Sequence, residues 1–233
     1  MARLPRLILP SQPHYVFQRG NQAIFQDADD YAAFLVWLRA ASKTFKVAVH
    51  AYALLPDQLH LLVSPGDEKA LGQMMQWIGR YYVPYFNQKY ARAGTLWQGR
   101  YKTSVIDPVQ YFMTCSLYLE FAPVYRGLTV RALDYAWSSH AHHTGLRLDP
   151  VITDHPLYWE LGNTPFDREA AYSRLAEQAL PFDAIQCVEQ AVLKGWPLGS
   201  DHFKQTLEHR LKRQVMPAKR GRPFKSVEKI GVE

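Results

Sequence analysis

Between His14 and Ile106 the hydrophobic period switches from two to 3.6 and back again, twice, and that order leaves few folds open. The stretch "HYVFQRG" (His14–Gly20) is aromatic and β-branched and stops at Gly20-Asn21, as a short strand does. Asp27 stands where an N-cap belongs, and Tyr31, Phe34, Leu35 and Leu38 follow at helical spacing, predicting a helix to about Phe45. "KVAVHAYAL" (Lys46–Leu54) reads as a second strand, turned by Pro56-Asp57 into a third, Gln58–Ser64. Pro65-Gly66-Asp67 opens a second helix with Leu71, Met74, Met75 and Ile78 on its apolar stripe; Pro84 is expected to kink or break it. A glycine-punctuated loop, "ARAGTLWQGRYK", leads to a fourth strand near Lys102–Ile106, and Asp107-Pro108 starts a third helix through about Phe121.

The order β-α-β-β-α-β is that of the split βαβ, ferredoxin-like pattern. It predicts an α+β fold: a four-stranded antiparallel sheet with helices on one face, the other face free, and an extra helix packed on the end. Residues 134–162 read as loop-rich, while Asp167–Gln178, Phe182–Lys194 and Ser200–Lys212 read as short helices. The expected organisation is therefore a domain at 1–162, a helical C-terminal region at 163–213, and a basic tail at 214–233 without apolar periodicity, expected to be mobile.

Hydrophobic residues make up 48% of the chain and aromatic ones 13%, enough for a core and enough to exclude wholesale disorder. A net charge of +6 favours a polyanionic partner without proving one. The two cysteines, Cys115 and Cys187, are far apart and in no metal-type spacing, as expected of a reducing compartment. No apolar run reaches the ~18 residues of a membrane span, and "MARLPRLILPSQP" has too short an apolar core for a secretion signal. The expectation is a soluble cytoplasmic protein with no membrane partner.

Within the third strand, alternation places Gln58 and His60 side by side on one face and Leu59, Leu61 and Val63 on the other. A lone strand histidine is more often a hydrogen-bonded structural residue than a ligand, so spacing alone leaves His60 undecided. His14, His50, His140, His142 and His143 read as surface or core histidines, with "HAHH" read as a solvated loop. On the third helix Tyr118 shares a face with Tyr111, Cys115 and Ala122, at steps of four, three and four.

Several motifs fall in a telling order: "QRGN", "HAYALLP", "PDQLHLL", "GTLWQGRYK", "LYLEFAP", "DYAWSSH", "GWPLGS" and the terminal "RGRP". Together they resemble the REP-associated tyrosine transposases, relatives of the IS200-like single-tyrosine transposases of the HUH nuclease superfamily. The resemblance implies a tyrosine that attacks a phosphodiester of hairpin-forming or palindromic single-stranded DNA. A 5′-phosphotyrosyl enzyme and a free 3′-hydroxyl result, and reversal rejoins strands. It implies a divalent metal held by a His-hydrophobic-His strand motif and by an amide residue one helical turn beyond the tyrosine. A phenol is a poor nucleophile at its usual pKa near 10, so something must draw charge from the phosphate, which a cation does.

Carried onto this chain, the resemblance makes Tyr118 the nucleophile and Gln58 and His60 the metal pair. Family members usually read P-N-H-x-H-L-L where this chain has "PDQLHLL", and commonly have asparagine where it has Ala122. Glutamine is a poor zinc ligand, but Mg²⁺ or Mn²⁺ accepts an amide oxygen and keeps several waters, so a weakened Mg²⁺/Mn²⁺ site is the expected cofactor site. Arg100 and Lys102 are expected to meet phosphates, Trp97 and Tyr101 to stack bases or, for Trp97, to anchor the core. Arg19 and Asn21 are expected to contact substrate. Lys219, Arg220, Arg222 and Lys225, around Gly221 and Pro223, resemble an AT-hook that enters a narrow A·T minor groove. The helices flanking "GWPLGS" read either as a helix-turn-helix-like module or as a packing appendage.

Two functions follow, with Gln58 and Ala122 dividing them. The chain is either a nucleoid-associated transposase-like endonuclease and strand transferase, or a binding protein that kept the DNA surface and lost efficient catalysis. A double-strand DNA regulator built on the C-terminal helices leaves the N-terminal motifs without a role. Sequence does not fix whether active sites form within one chain or across a homodimer.

Overall fold

The parity of one strand organises the molecule. The computed structural model describes residues 6–212 and 214–215. In it β3 (Gln58–Pro65) lies between β1 (His14–Arg19) and β2 (Val47–Leu55), and β4 (Lys102–Val105) closes the far edge, giving the antiparallel order β2-β3-β1-β4. Leu59, Leu61 and Val63 of β3 point into one apolar cluster with Val16, Tyr52 and Leu54, while Leu62 points into a second with Tyr15, Ala51, Ala53 and Leu55. Both sheet faces are thus buried, and the period of two holds on each.

The first face is covered by α1 (Ala28–Thr44) and α2 (Ala70–Lys89), the two helices of the split unit. Asp27 caps α1, accepting from the Asp30 amide at 3.2 Å, and the Asp30 side chain closes a capping box. Lys89 near the end of α2 bridges Asp27 and Asp30 at 2.7 and 3.0 Å, fastening one helix to the other. Of the two expected effects of Pro84, a kink or a break, the break does not occur, and α2 continues through it. Pro84 and Arg80, whose carbonyl loses its helical partner, both lie on the exposed side, open to solvent. Buried Tyr82 and Phe86 carry the apolar stripe past the proline.

The opposite face, expected to be free, is occupied. There α3 (Pro108–Glu120) packs across β2 and β3, and α8 (Phe182–Lys194) packs beside it on β1 and β4. Tyr111, Cys115, Tyr118 and Ala122, the face read from the helical steps, all belong to this second cluster. A β-bulge between Val49 and Ala51 shifts the parity of β2: Val47 and Val49 before it feed the first cluster, and after it Tyr52 and Leu54 feed the first while Ala51, Ala53 and Leu55 feed the second. Next come α4 (Ala122–Tyr125), a 3-10 turn at Ala132–Asp134, α5 (His140–His143), α6 (Pro156–Trp159) and α7 (Pro165–Glu177). The stretch expected to be loop is therefore broken by short helical turns.

Gly195, at φ +72°, ends α8 in the left-handed conformation that glycine adopts without strain, and the chain turns back onto β4. Leu198 bridges Ile106 and donates to the Val105 carbonyl at 2.8 Å, covering the sheet edge before α9 (Asp201–Leu211) packs on Leu9 and Val105. "GWPLGS" is thus a packing element on β4, as the second of its two sequence readings had it. No helix among the described residues is long and apolar enough to cross a membrane.

Candidate active site

Register decides which polar side chains meet. On β1 and β3, Phe17 stands opposite His60 and Arg19 opposite Gln58, so these four share the face that carries α3. His60 is buried. Its Nδ1 lies 2.7 Å from the Tyr15 hydroxyl and its Nε2 lies 3.0 Å from Nε2 of Gln58. An amide nitrogen only donates, which assigns the His60 proton to Nδ1, facing the Tyr15 oxygen, and the lone pair to Nε2. Burial, and then the Arg126 guanidinium, lower the imidazole to about 3 against the opposing pull of Asp57, so it is neutral at neutral pH.

Tyr118 sits above this pair. Its ring centroid is 6.1 Å from that of Tyr15 and 5.9 Å from that of Tyr125, and the side chain is half-buried. Its hydroxyl donates to Glu189 Oε1 on α8 at 3.1 Å. Burial, followed by the charge and hydrogen bond of Glu189, raises the phenol well above its usual range. Tyr118, Tyr15 and His60 therefore form one file: Tyr118 over Tyr15 in ring contact, and Tyr15 bonded to His60.

At the open end of this face Asp57 accepts from two arginines, Arg19 Nη2 at 3.3 Å and Arg126 Nη2 at 3.2 Å. One carboxylate between two guanidiniums leaves net positive charge, and both arginine side chains are about half exposed, at 50% and 45%. Asn21 is exposed beside them and donates to the Trp97 carbonyl at 3.3 Å; Arg100 is exposed on the same loop. Lys102 lies on the edge strand opposite Phe17. Tyr101, expected to stack bases, is placed otherwise, and Trp97 takes the second of its two readings, the core anchor. Trp97 packs on the core with its ring stacked 6.2 Å from Tyr82, and Tyr101 is buried under the Arg6 guanidinium, 3.7 Å above its ring. Lys219, Arg220, Arg222 and Lys225 lie outside the described residues.

The histidines of "HAHH" are not solvated. Glu120, fully buried two residues after Tyr118, accepts from Ser139 Oγ at 2.5 Å and His143 Nδ1 at 2.6 Å on one oxygen. On the other it takes His140 Nδ1 at 2.9 Å and Tyr172 at 2.8 Å. Burial alone would raise this carboxyl, but the charge and hydrogen bonds of His143 and His140 outweigh it and hold it well below the usual range. His14 and His50 are likewise buried and internally bonded. These are core histidines, joined to the fold by partners far away in sequence.

Does the Gln58–His60 pair fit a metal? The Tyr15 hydroxyl on Nδ1 fixes the imidazole with its other nitrogen as a lone pair, the usual arrangement behind a ligating histidine. The 3.0 Å between Nε2 of His60 and the Gln58 amide matches the roughly 3 Å between adjacent ligands of a six-coordinate ion at ~2.1 Å. The amide must turn to offer its oxygen. Ala122 adds no donor, and Arg126 adds positive potential. Such a set fits a hard cation that keeps most of its shell as water and phosphate oxygen, and does not fit zinc. His142, His143 and Asp154 form a separate His/Asp cluster, but His142 is already engaged by Asp154 and by the Asp149 amide, and His143 by Glu120.

Asp57, read from sequence as a possible helper of the metal pair, instead engages Arg19 and Arg126. Arg126, Tyr15 and Glu189 were not singled out from sequence; Tyr15 becomes visible once the register is known, while Glu189 and Arg126 have no local signal at all.

Residues 11–121 match the family model described as "Transposase IS200 like". Among solved structures, the chain is similar to that of a REP-associated tyrosine transposase bound to a REP hairpin, at 13% identity and a TM-score of 0.51, covering 66% of this chain and 92% of that one. It is also similar to a putative transposase from Deinococcus radiodurans, at 14% identity and a TM-score of 0.33, covering 49% and 93%. No curated protein matches. The stretch that matches the IS200-like transposase model spans the whole four-stranded sheet, both covering helices and α3 with its tyrosine.

Proposed function

We propose that the chain is a single-tyrosine endonuclease and strand transferase that acts on hairpin-forming single-stranded DNA, with Tyr118 as nucleophile. The observation that carries this reading is the file Tyr118–Tyr15–His60: the tyrosine at the family's position and the remaining histidine of the strand motif meet on one sheet face, beside Arg19 and Arg126. Likeness to a protein bound to a REP hairpin supports a hairpin as substrate.

In this reading Arg19 and Arg126, oriented by Asp57, hold the phosphodiester at the open end of the face. Guanidiniums suit this task because their forked donors match phosphate oxygens two at a time. Tyr118 supplies the attacking oxygen, and α3 fixes its approach. Gln58 and His60 would hold a Mg²⁺ or Mn²⁺ ion, which when bound withdraws charge from a phosphate oxygen. His60 is kept neutral and aimed by Tyr15, so its Nε2 lone pair, which here accepts from the Gln58 amide, can serve a cation across the neutral range once that amide turns. Exposed Asn21 and Arg100, with half-buried Lys102, extend the polar and basic rim along which a single strand is led.

A second reading, a DNA-binding protein of weak or no cleavage activity, is favoured by the Gln58 amide standing against His60 Nε2 and by Ala122. One assay separates the two. Hairpin oligonucleotides are incubated with the protein and Mg²⁺ or Mn²⁺, and a denaturation-resistant protein–DNA adduct is sought. Cleavage predicts an adduct that Tyr118→Phe abolishes; tight binding without adduct selects the second reading.

A further inference from the structure

We propose that Glu189, on the C-terminal helix α8, is the general base that takes the proton of Tyr118. This deepens the reading of Tyr118 as nucleophile and rests on it. The carboxylate of Glu189 is exposed and has water to choose from, yet its Oε1 accepts from the Tyr118 hydroxyl at 3.1 Å, within the range a base must occupy. Among the described residues, Tyr118 is the hydrogen-bond partner that this carboxylate has.

The surroundings leave the proton no other destination among the described residues. The remaining titratable groups around the Tyr118 hydroxyl are Tyr15 from β1, Cys115 from α3 and Tyr125 from α4. Burial raises each of them, so all three are protonated at neutral pH. His60, one tyrosine away, is engaged on both ring nitrogens. Glu189 is the anion in contact with the phenol oxygen. Its charge makes that phenol harder to ionise in advance, which is the arrangement in which proton transfer during attack matters most.

The step balances without a further reactant. As the Tyr118 oxygen bonds to phosphorus, its proton passes to Glu189 Oε1. The bond from phosphorus to the 3′ oxygen breaks, that oxygen keeps the electron pair, and it takes a proton from water. In the return step the 3′-hydroxyl attacks phosphorus and releases its proton to water, while the departing Tyr118 oxygen recovers a proton from Glu189. The base thus comes from a helix beyond residues 11–121, and the C-terminal region completes the nucleophile as well as packing against it.

The test measures single-turnover formation of the Tyr118 adduct on a hairpin oligonucleotide from pH 5 to 9.5, with hairpin affinity measured in parallel. Glu189→Gln should slow the adduct about a hundredfold at pH 7, as loss of a general base does, with unchanged affinity. Its rate should then climb about tenfold per pH unit as hydroxide takes over the proton. Formate should partly restore Glu189→Ala, and titration of the Tyr118 ring carbon by NMR should show a lower pKa in Glu189→Gln. If Glu189→Gln forms adduct at the unsubstituted rate with the same pH profile, Glu189 is not the base although Tyr118 stands as nucleophile. If the unsubstituted protein forms no adduct, the function proposed above falls, and this assignment with it.

Discussion

Glu120→Gln tests how α3, the helix of the proposed nucleophile Tyr118, is held. The substitution keeps the side chain's shape and removes one acceptor oxygen together with the charge. Glu120 is fully buried and takes donors in pairs, Ser139 and His143 on Oε1, His140 and Tyr172 on Oε2. A glutamine oxygen satisfies one pair; its amide nitrogen turns donors toward the other. Hydroxyl rotors escape most easily, because Ser139 has the Tyr52 carbonyl at 3.3 Å and Tyr172 has Ser116 at 2.9 Å. Orphaning one to two buried donors at about 1–3 kcal/mol each gives an expected loss of about 3 kcal/mol. With a urea m-value of about 3 kcal/mol/M for a chain of this size, the midpoint should fall by roughly 1 M with m unchanged. Equilibrium unfolding followed by tryptophan fluorescence at pH 7.5 reads this directly, with the exposed-site variant Glu189→Gln as a control expected to move little. A midpoint within ~0.2 M of the unsubstituted protein would refute the claim that this carboxylate anchors α3 to α5 and α7.

Other outcomes follow from the same geometry. Gln58→His restores the two-histidine pair and should raise both Mn²⁺ affinity and adduct formation, by tenfold or more if the site is a weakened metal grip; calorimetry and the adduct assay check the two separately. Arg126→Ala should weaken hairpin binding and reduce the slope of log affinity against log salt by about one, since one phosphate contact is lost; an unchanged slope would remove Arg126 from the interface. Acid should destabilise the fold early. Burial lowers His14 and His50 to about 4, below an unfolded value near 6.5. The unfolded chain therefore binds more protons as pH falls from 6.5 toward 4, and each histidine removes about 1.4 kcal/mol of stability per pH unit in that window. Stability that stays flat between pH 7 and 5 in urea titrations would contradict this.

What was legible in sequence was whatever a local period encodes. Alternation in β3 placed Gln58 and His60 on one face, and the steps along α3 placed Tyr118 with Cys115 and Ala122, because both patterns come from backbone geometry within a single element. Whether Pro84 breaks α2 was not legible because a proline's effect depends on which side of the helix loses its bond, and that side is set by packing. "HAHH" misled because its partner, Glu120, lies twenty residues away on another helix. Trp97 and Tyr101 carry the composition of a stacking platform, yet the ring faces are spent on Tyr82 and Arg6. Polar and aromatic side chains are ambiguous in this way whenever their long-range partners decide their role.

Those long-range partners also bear on what the unit of function is. Tyr118 lies within the family-matched stretch, but three of the contacts that fix it do not. Glu120 ties its helix to Ser139, His140 and His143 and to Tyr172 of α7; Tyr125 of α4 flanks its ring; Glu189 of α8 takes its hydroxyl. Arg126, which raises the positive potential at His60 and shares Asp57 with Arg19, is likewise beyond residue 121. The sheet brings Gln58 and His60 into register, and the later segments set the charge around them and supply the proposed proton acceptor. In the proposed mechanism Gln58 and Ala122 stand where the resemblance expects metal ligands, whereas Arg126 and Glu189 would add a cation for the phosphate and a base for the phenol. On that proposal the loss of two ligands does not by itself argue for loss of chemistry, since the added pair would act on the same two atoms that a metal site must serve, the phosphate oxygen and the attacking oxygen.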